Sequence, residues 1–128
     1  MNLIENLPEE RHPGAVARTV LAILARWDLA AAEQATILGL TQEQYLAWKE
    51  APPPLTSLDT ATVLRMSYVL GIYAALQVLY SEQWAADAWL KRSNSDPTFG
   101  GQRPLDRLLK GHLDDFAAVR RFLDGWTE

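Results

Sequence analysis

The sequence predicts an all-α fold: an N-terminal helix-turn-helix-like bundle, a long central helix and a small C-terminal helical domain. Three observations predict it. Apolar residues recur three and four apart along most of the chain, capping residues and glycines punctuate those runs, and nowhere do β-branched residues alternate with polar ones as a half-buried strand requires. No internal repeat is present.

Residues 1–13 hold Pro8, Pro13 and three Glu and read as an irregular arm. From Gly14 the pattern becomes helical, with Val16, Val20, Leu24 and Trp27 on one face and a break at Asp28. Ala30 to Leu38 reads as a short second helix closed by Gly39, because a glycine takes the left-handed conformation just past a helix end without strain. Thr41 and Gln44 form a capping box for a third helix, Gln42 to Glu50, which Pro52, Pro53 and Pro54 must stop. Thr56 with Asp59 forms a second box. It opens the longest apolar segment, Leu58 to about Tyr80, apolar nearly all round and therefore expected to be the central, buried helix. Gly71 lies within it, where it either kinks the helix or lets a neighbour approach. Ser81 is the expected cap of a helix from Glu82 to Lys91, in which core packing is the plain reading of Trp84 and Trp89. A polar loop spans Ser93 to Arg103. Pro104 starts a helix with Leu105, Leu108 and Leu109 as its stripe, and Gly111 ends it. Asp114 or Asp115 starts the last helix, whose stripe is Phe116, Val119, Leu123 and Trp126. The expected organisation is an arm (1–13), a helix-turn-helix domain (14–80) and a C-terminal domain (81–128).

Composition bounds what such a chain can do. At 128 residues, 48% hydrophobic and 22% charged, it can build a core. It has no cysteine, which excludes disulfides and thiolate metal sites and fits a reducing compartment. The N-terminus has neither a basic stretch nor a long apolar run, so no signal peptide is expected and the cytoplasm is the expected location. The most apolar stretch, Met66 to Tyr80, is shorter than the roughly 20 residues that span a bilayer, so no membrane partner is expected. Net charge is −4, and a domain that holds nucleic acid by charge alone is usually basic.

Two motifs invite a functional reading. Ala30 to Glu50 has the shape of a helix-turn-helix, whose second helix would present Thr41, Gln42, Gln44 and Lys49 to a DNA groove. Glu43 and Glu50 lie on the same helix and would repel phosphates, and a plain helical hairpin has the same pattern. The turn Phe99-Gly100-Gly101-Gln102-Arg103-Pro104 precedes a helix, as a phosphate cradle would, yet it lacks the P-loop Lys-Ser/Thr; glycines serving positive φ are the simpler account. His12 and His112 stand apart from any carboxylate set, and no nucleophile motif is present, so neither a metal, nor a cofactor, nor a catalytic residue is expected. Trp126, third from the end, either folds back onto the body or inserts into a partner.

The C-terminal third resembles a known family. Trp89-Leu90, Asn94, Phe99-Gly100-Gly101, Arg103-Pro104-Leu105, Leu108-Leu109, Val119 and Leu123 together are similar to the toxin-binding domain of the Xre/MbcA/ParS antitoxins, partners of RES-domain toxins in bacterial toxin–antitoxin pairs. The resemblance covers residues 81–128; upstream it is one of architecture only. It implies a C-terminal half that binds the toxin and shields its NAD-degrading site, and an N-terminal half that dimerises or binds the promoter DNA of its operon. The toxin-binding residues it implies are Gly100, Gly101, Arg103 and Pro104 of the turn, with Arg120, Arg121, Asp124, Trp126 and Glu128 of the final helix and tail. Deleting Arg120 to Glu128 is then expected to abolish neutralisation and spare the remaining helices. Its implied partners are the cognate toxin, operator DNA, and a second copy of the chain or a larger assembly with the toxin. A helix-turn-helix regulator with no toxin partner is the alternative; an enzyme would need an acid–base pair that the sequence does not offer.

Overall fold

The computed structural model describes residues 11–127, and among them every regular element is helical. Seven α-helices follow in order: α1 (Ala15–Arg26), α2 (Ala31–Leu38), α3 (Gln42–Glu50), α4 (Thr60–Leu79), α5 (Gln83–Ala88), α6 (Pro104–Leu108) and α7 (Leu113–Thr127). Most of the expected arm lies outside the described residues; Arg11, His12 and Pro13 form an exposed turn into α1. The chain divides into two compact units, one ending at Met66 and the other beginning at Ser67, so the division falls within α4.

In the first unit the local rules of capping act as the sequence suggests. Gly39 ends α2 at φ 71°. Thr41 Oγ1 accepts from the Gln44 amide at 3.1 Å while Gln44 Oε1 accepts from the Thr41 amide at 2.9 Å, closing the capping box of α3. Val16, Val20, Leu24 and Trp27 are all buried, as the face drawn for α1 requires. The start of α4 differs from expectation. Leu55–Ser57 form a 3-10 turn, and the cap is Asp59, whose Oδ1 accepts from the Thr62 amide at 2.8 Å. A carboxylate in that place satisfies an orphan N–H at the positive helix end, and Thr56, within the 3-10 turn, is no longer positioned to do so.

At 20 residues, α4 lies within the apolar segment read as Leu58 to Tyr80 but is longer than its most apolar part, Met66 to Tyr80, and by length and composition alone it is long and apolar enough to cross a membrane. Arg65, Ser67 and Gln77 interrupt it. Met66, Val69, Ile72, Ala75 and Leu76 are buried, but Leu64 is 42% and Val78 72% exposed. Burial all round is therefore not what α4 achieves: its apolar residues outnumber those its one packed stripe can cover.

The second unit buries Phe116, Val119 and Leu123 of α7 completely, and Leu105 and Leu108 of α6 and Leu90 are equally buried. Each such side chain contributes about 1.5–3 kcal/mol on burial. Pro104 takes the first turn of α6, and Arg103 precedes it with its amide donated to Asp106 Oδ2 at 3.0 Å. Two expectations fail here. Ser81 does not cap α5, which starts after Glu82 and runs into a 3-10 turn at Trp89–Lys91. Trp84 is not core: it is 65% exposed, with the Arg92 guanidinium 5.6 Å from its ring centre, a site where a cation on a ring face needs no buried neighbour.

Candidate functional site

The residues between the 3-10 turn and α6 form a tight loop. Asn94 donates its amide to the Gln102 carbonyl and accepts from the Gly101 amide, both at 2.9 Å, so the two ends of the loop are tied. Between them, Asn94 Oδ1 accepts from the Asp96 amide and Asp96 Oδ1 from the Thr98 amide. Gly100 and Gly101 sit at φ 59° and 84°, and no ligand-cradle geometry is needed to account for them. Arg107 of α6 clamps the loop: it donates to the Thr98 carbonyl at 2.8 Å and to Asp115 Oδ1 at 2.9 Å. The last helix opens earlier than expected, at Leu113, so Asp115 lies within its first turn and carries a charge pair there, which explains an aspartate that is only 8% exposed.

Beside this loop an aromatic cluster closes around Phe122. Its ring meets Phe99 edge-on at 5.0 Å, lies nearly parallel to Trp89 at 6.0 Å, and approaches Trp126 at 6.4 Å. Trp89 and Phe99 meet edge-on at 5.9 Å. An open cleft of about 490 Å³ lies against the cluster. Its apolar wall is Leu79, Tyr80, Trp89, Phe122, Leu123 and Trp126, and its polar lip is Asn94, Ser95 and Asp96. Hydrogen bonds from Thr98, backbone first and then hydroxyl, hold the Asp96 carboxyl below the usual carboxylate range.

The structure sorts the sequence-derived candidates. Trp126 does both things weighed for it: it touches Phe122, yet it is 68% exposed at the mouth of the cleft. Arg120 is half-buried, donates to Asp124 Oδ1 at 2.8 Å, and lies against Gly71. Arg121 is exposed. Arg103 pairs with Asp106 at the start of α6, Pro104 is buried, and neither lines the cleft. Glu128 lies outside the described residues. Phe122, Asp96 and Tyr80 went unrecognised in the sequence. A signal for Phe122 exists: it follows Val119 by three and precedes Trp126 by four, so it borders the apolar stripe of α7.

In the first unit, Thr41, Gln42, Gln44 and Lys49 are all exposed at or on α3. Thr41 and Gln44, however, spend their side-chain oxygens on each other's amides. The same helix exposes Glu43 and Glu50, and Leu46 at 55%. A buried polar tie fixes α3 on α2: the Tyr45 hydroxyl donates to Gln34 Oε1 at 2.8 Å, and Gln34 Nε2 donates to the Leu29 carbonyl. His12 and His112 are exposed, and among the described residues no three His, Cys, Asp or Glu side chains gather as a metal site.

Comparison with known proteins places the cleft in context. The family described as the antitoxin Xre/MbcA/ParS C-terminal toxin-binding domain matches residues 74–127, a stretch that contains every residue lining the cleft. The chain is also 36% identical over 103 residues to the uncharacterized protein y4oB of Sinorhizobium fredii (strain NBRC 101917 / NGR234), covering 80% of this chain and 76% of that protein.

Proposed function

The chain belongs to the family of antitoxins that carry the Xre/MbcA/ParS C-terminal toxin-binding domain, and from that premise we propose that it neutralises a RES-domain, NAD-degrading toxin by covering the entrance of its active site. One observation carries the reading: a tryptophan 68% exposed at the rim of the aromatic cleft, on a helix anchored by the fully buried Phe116, Val119 and Leu123. A large exposed ring on a rigid support loses little entropy when a partner covers it, which is how binding hot spots are built. Arg120, Arg121 and Asp124 supply polar groups on the same helix as that anchor, Glu128 is a further candidate contact from the sequence alone, and any chemistry belongs to the toxin. Gly100, Gly101, Arg103 and Pro104 act at one remove, by shaping the loop. The deciding experiment adds this chain to the purified product of the gene adjacent to its own and follows NAD loss. NAD consumption that stops at a fixed stoichiometry supports the reading; consumption indifferent to the chain refutes it.

A second activity has narrower support. The α2–α3 pair, joined by a short turn and tied by the Tyr45–Gln34 bond, exposes Gln42 and Lys49, so repression of its own operon is proposed through those two residues. The exposed Val78 of α4, in the second unit, is a proposed contact of a homodimer. Operator binding that weakens steeply with salt and with Lys49→Ala would support the DNA role. The rival, a regulator without a toxin partner, predicts DNA binding with no complex formed with the adjacent gene product.

A further inference from the structure

The cleft beside Trp126 has walls of one chemistry and charge of one sign. Of its nine lining residues four are aromatic, one is a carboxylate and none is Lys or Arg. The carboxylate is Asp96, set in the loop by the bond from the Thr98 amide at 2.9 Å. Those bonds stabilise its ionised form, so it carries its charge at neutral pH. The loop is in turn fixed by the Asn94–Gln102 and Asn94–Gly101 pairing and by Arg107, so the lip is preorganised.

Aromatic rings attract cations through their negative faces, and a guanidinium is both planar enough to stack on them and donor-rich enough to meet a carboxylate. A long aliphatic stem, meanwhile, suits the Leu79 and Leu123 part of the wall. We propose that the cleft receives an arginine side chain of the toxin, with its stem along Leu79 and Leu123 and its guanidinium between the aromatic rings and Asp96. The inference rests on the reading that this cleft is a toxin-binding surface, and it adds the chemistry of the group bound there. A carboxylate or phosphate on the partner would face Asp96 with like charge, and a purely apolar side chain would desolvate the Asp96 charge without pairing it.

The test has two arms on the full chain. In the first, N-acetyl-arginine amide and its uncharged near-isostere N-acetyl-citrulline amide are titrated while the indole N–H signals of Trp126 and Trp89 are followed by NMR. The arginine amide should shift both signals saturably, the citrulline amide should bind about fivefold more weakly or worse, and Asp96→Asn should weaken the arginine amide about fivefold. The Asn side chain keeps an oxygen that can accept from the Thr98 amide, and an unchanged far-UV spectrum confirms that the loop survives. In the second arm, Asp96→Asn and Trp126→Ala are each measured for affinity toward the adjacent gene product. Weaker binding by both supports the proposal. Equal shifts from the two amides, or a loss with Trp126→Ala alone, overturns the arginine and leaves the cleft as the binding surface. Full affinity in both variants removes the cleft itself from the interface, and the proposal with it.

Discussion

The guanidinium of Arg120 on α7 occupies the space that a side chain at Gly71 on α4 would fill. Of the two roles open to this glycine, the close approach of a neighbour is the one seen: it is the seat of an arginine, and the same arginine donates its Nε–H to Asp124 one turn on. Replacing Gly71 with Ala removes the seat while giving α4 a better helix former, worth about 1 kcal/mol in a helix interior. Because only the far end of a flexible side chain must move, Gly71→Ala is expected to leave stability within about 1 kcal/mol of the parent, while the Arg120 Nε–H signal shifts in the NMR spectrum. Urea unfolding measures the first and the arginine side-chain spectrum the second. A loss above about 2 kcal/mol would mean that the surrounding backbone, and not Arg120, sets the requirement for glycine.

Arg107 ties α6 to α7 through Asp115 and to the loop through the Thr98 carbonyl, with both charged side chains largely withdrawn from water. Replacing Arg107 with Met keeps the stem and leaves Asp115 and the carbonyl without their donor. The expected cost is about 2 kcal/mol in urea unfolding, the range for charged hydrogen bonds. Exchange of the Asn94 and Gly101 amides should also accelerate, since the clamp on their loop is gone. An unchanged midpoint would show that the pair is screened like a surface ion pair.

Tyr45→Phe deletes one hydroxyl from the buried tie between α2 and α3 and leaves Gln34 Oε1 without that donor. A loss of about 1–3 kcal/mol follows from the uncompensated acceptor. The change is expected to act through stability of the first unit, so toxin affinity should persist in the variant at temperatures below its melting transition. Calorimetry together with binding separates the two effects.

Acid stability follows from three aspartates. Asp59 is held below its ordinary value of 3.8 by bonds from the Thr62 hydroxyl and amide, Asp96 by those from Thr98, and Asp106 by the Arg103 side chain. Each folded-state carboxyl binds its proton less readily than the unfolded chain does. Their contribution is thus complete above 3.8 and is lost as pH falls below it through the folded-state values. Urea midpoints measured downward from neutrality should fall most steeply in that acid window, and Asp106→Asn should flatten part of the fall. A variant with the same acid slope as the parent would contradict this assignment.

Much of this was legible in the sequence because it is local. The Thr41–Gln44 box, Gly39, Pro104 and the Phe116–Val119–Leu123 stripe depend on residues within a turn or two of one another, and the structure has all of them. What escaped is tertiary. Nothing near Trp84 in the chain says that it stays in water, and Phe122 becomes the centre of a cluster only because Trp89 and Phe99 fold against it. Asp96 is an ordinary loop acid until the loop ties place it on the lip of the cleft. The tail deletion suggested by the family resemblance also needs revision, since removing Arg120 to Glu128 takes the fully buried Leu123 with it. Loss of function in that variant would report a damaged core as readily as a lost contact.

A single exposed ring gives the cleaner test. Trp126→Ala leaves Phe116, Val119 and Leu123 in place, so helicity and melting should match the parent. The decisive measurement is the affinity of parent and variant for the product of the adjacent gene by titration calorimetry. The account predicts that the parent binds and that the variant binds about 30-fold more weakly or worse, the loss expected of an interface hot spot of about 2 kcal/mol. Equal affinity of the two chains would contradict the claim that this surface is where the toxin is held.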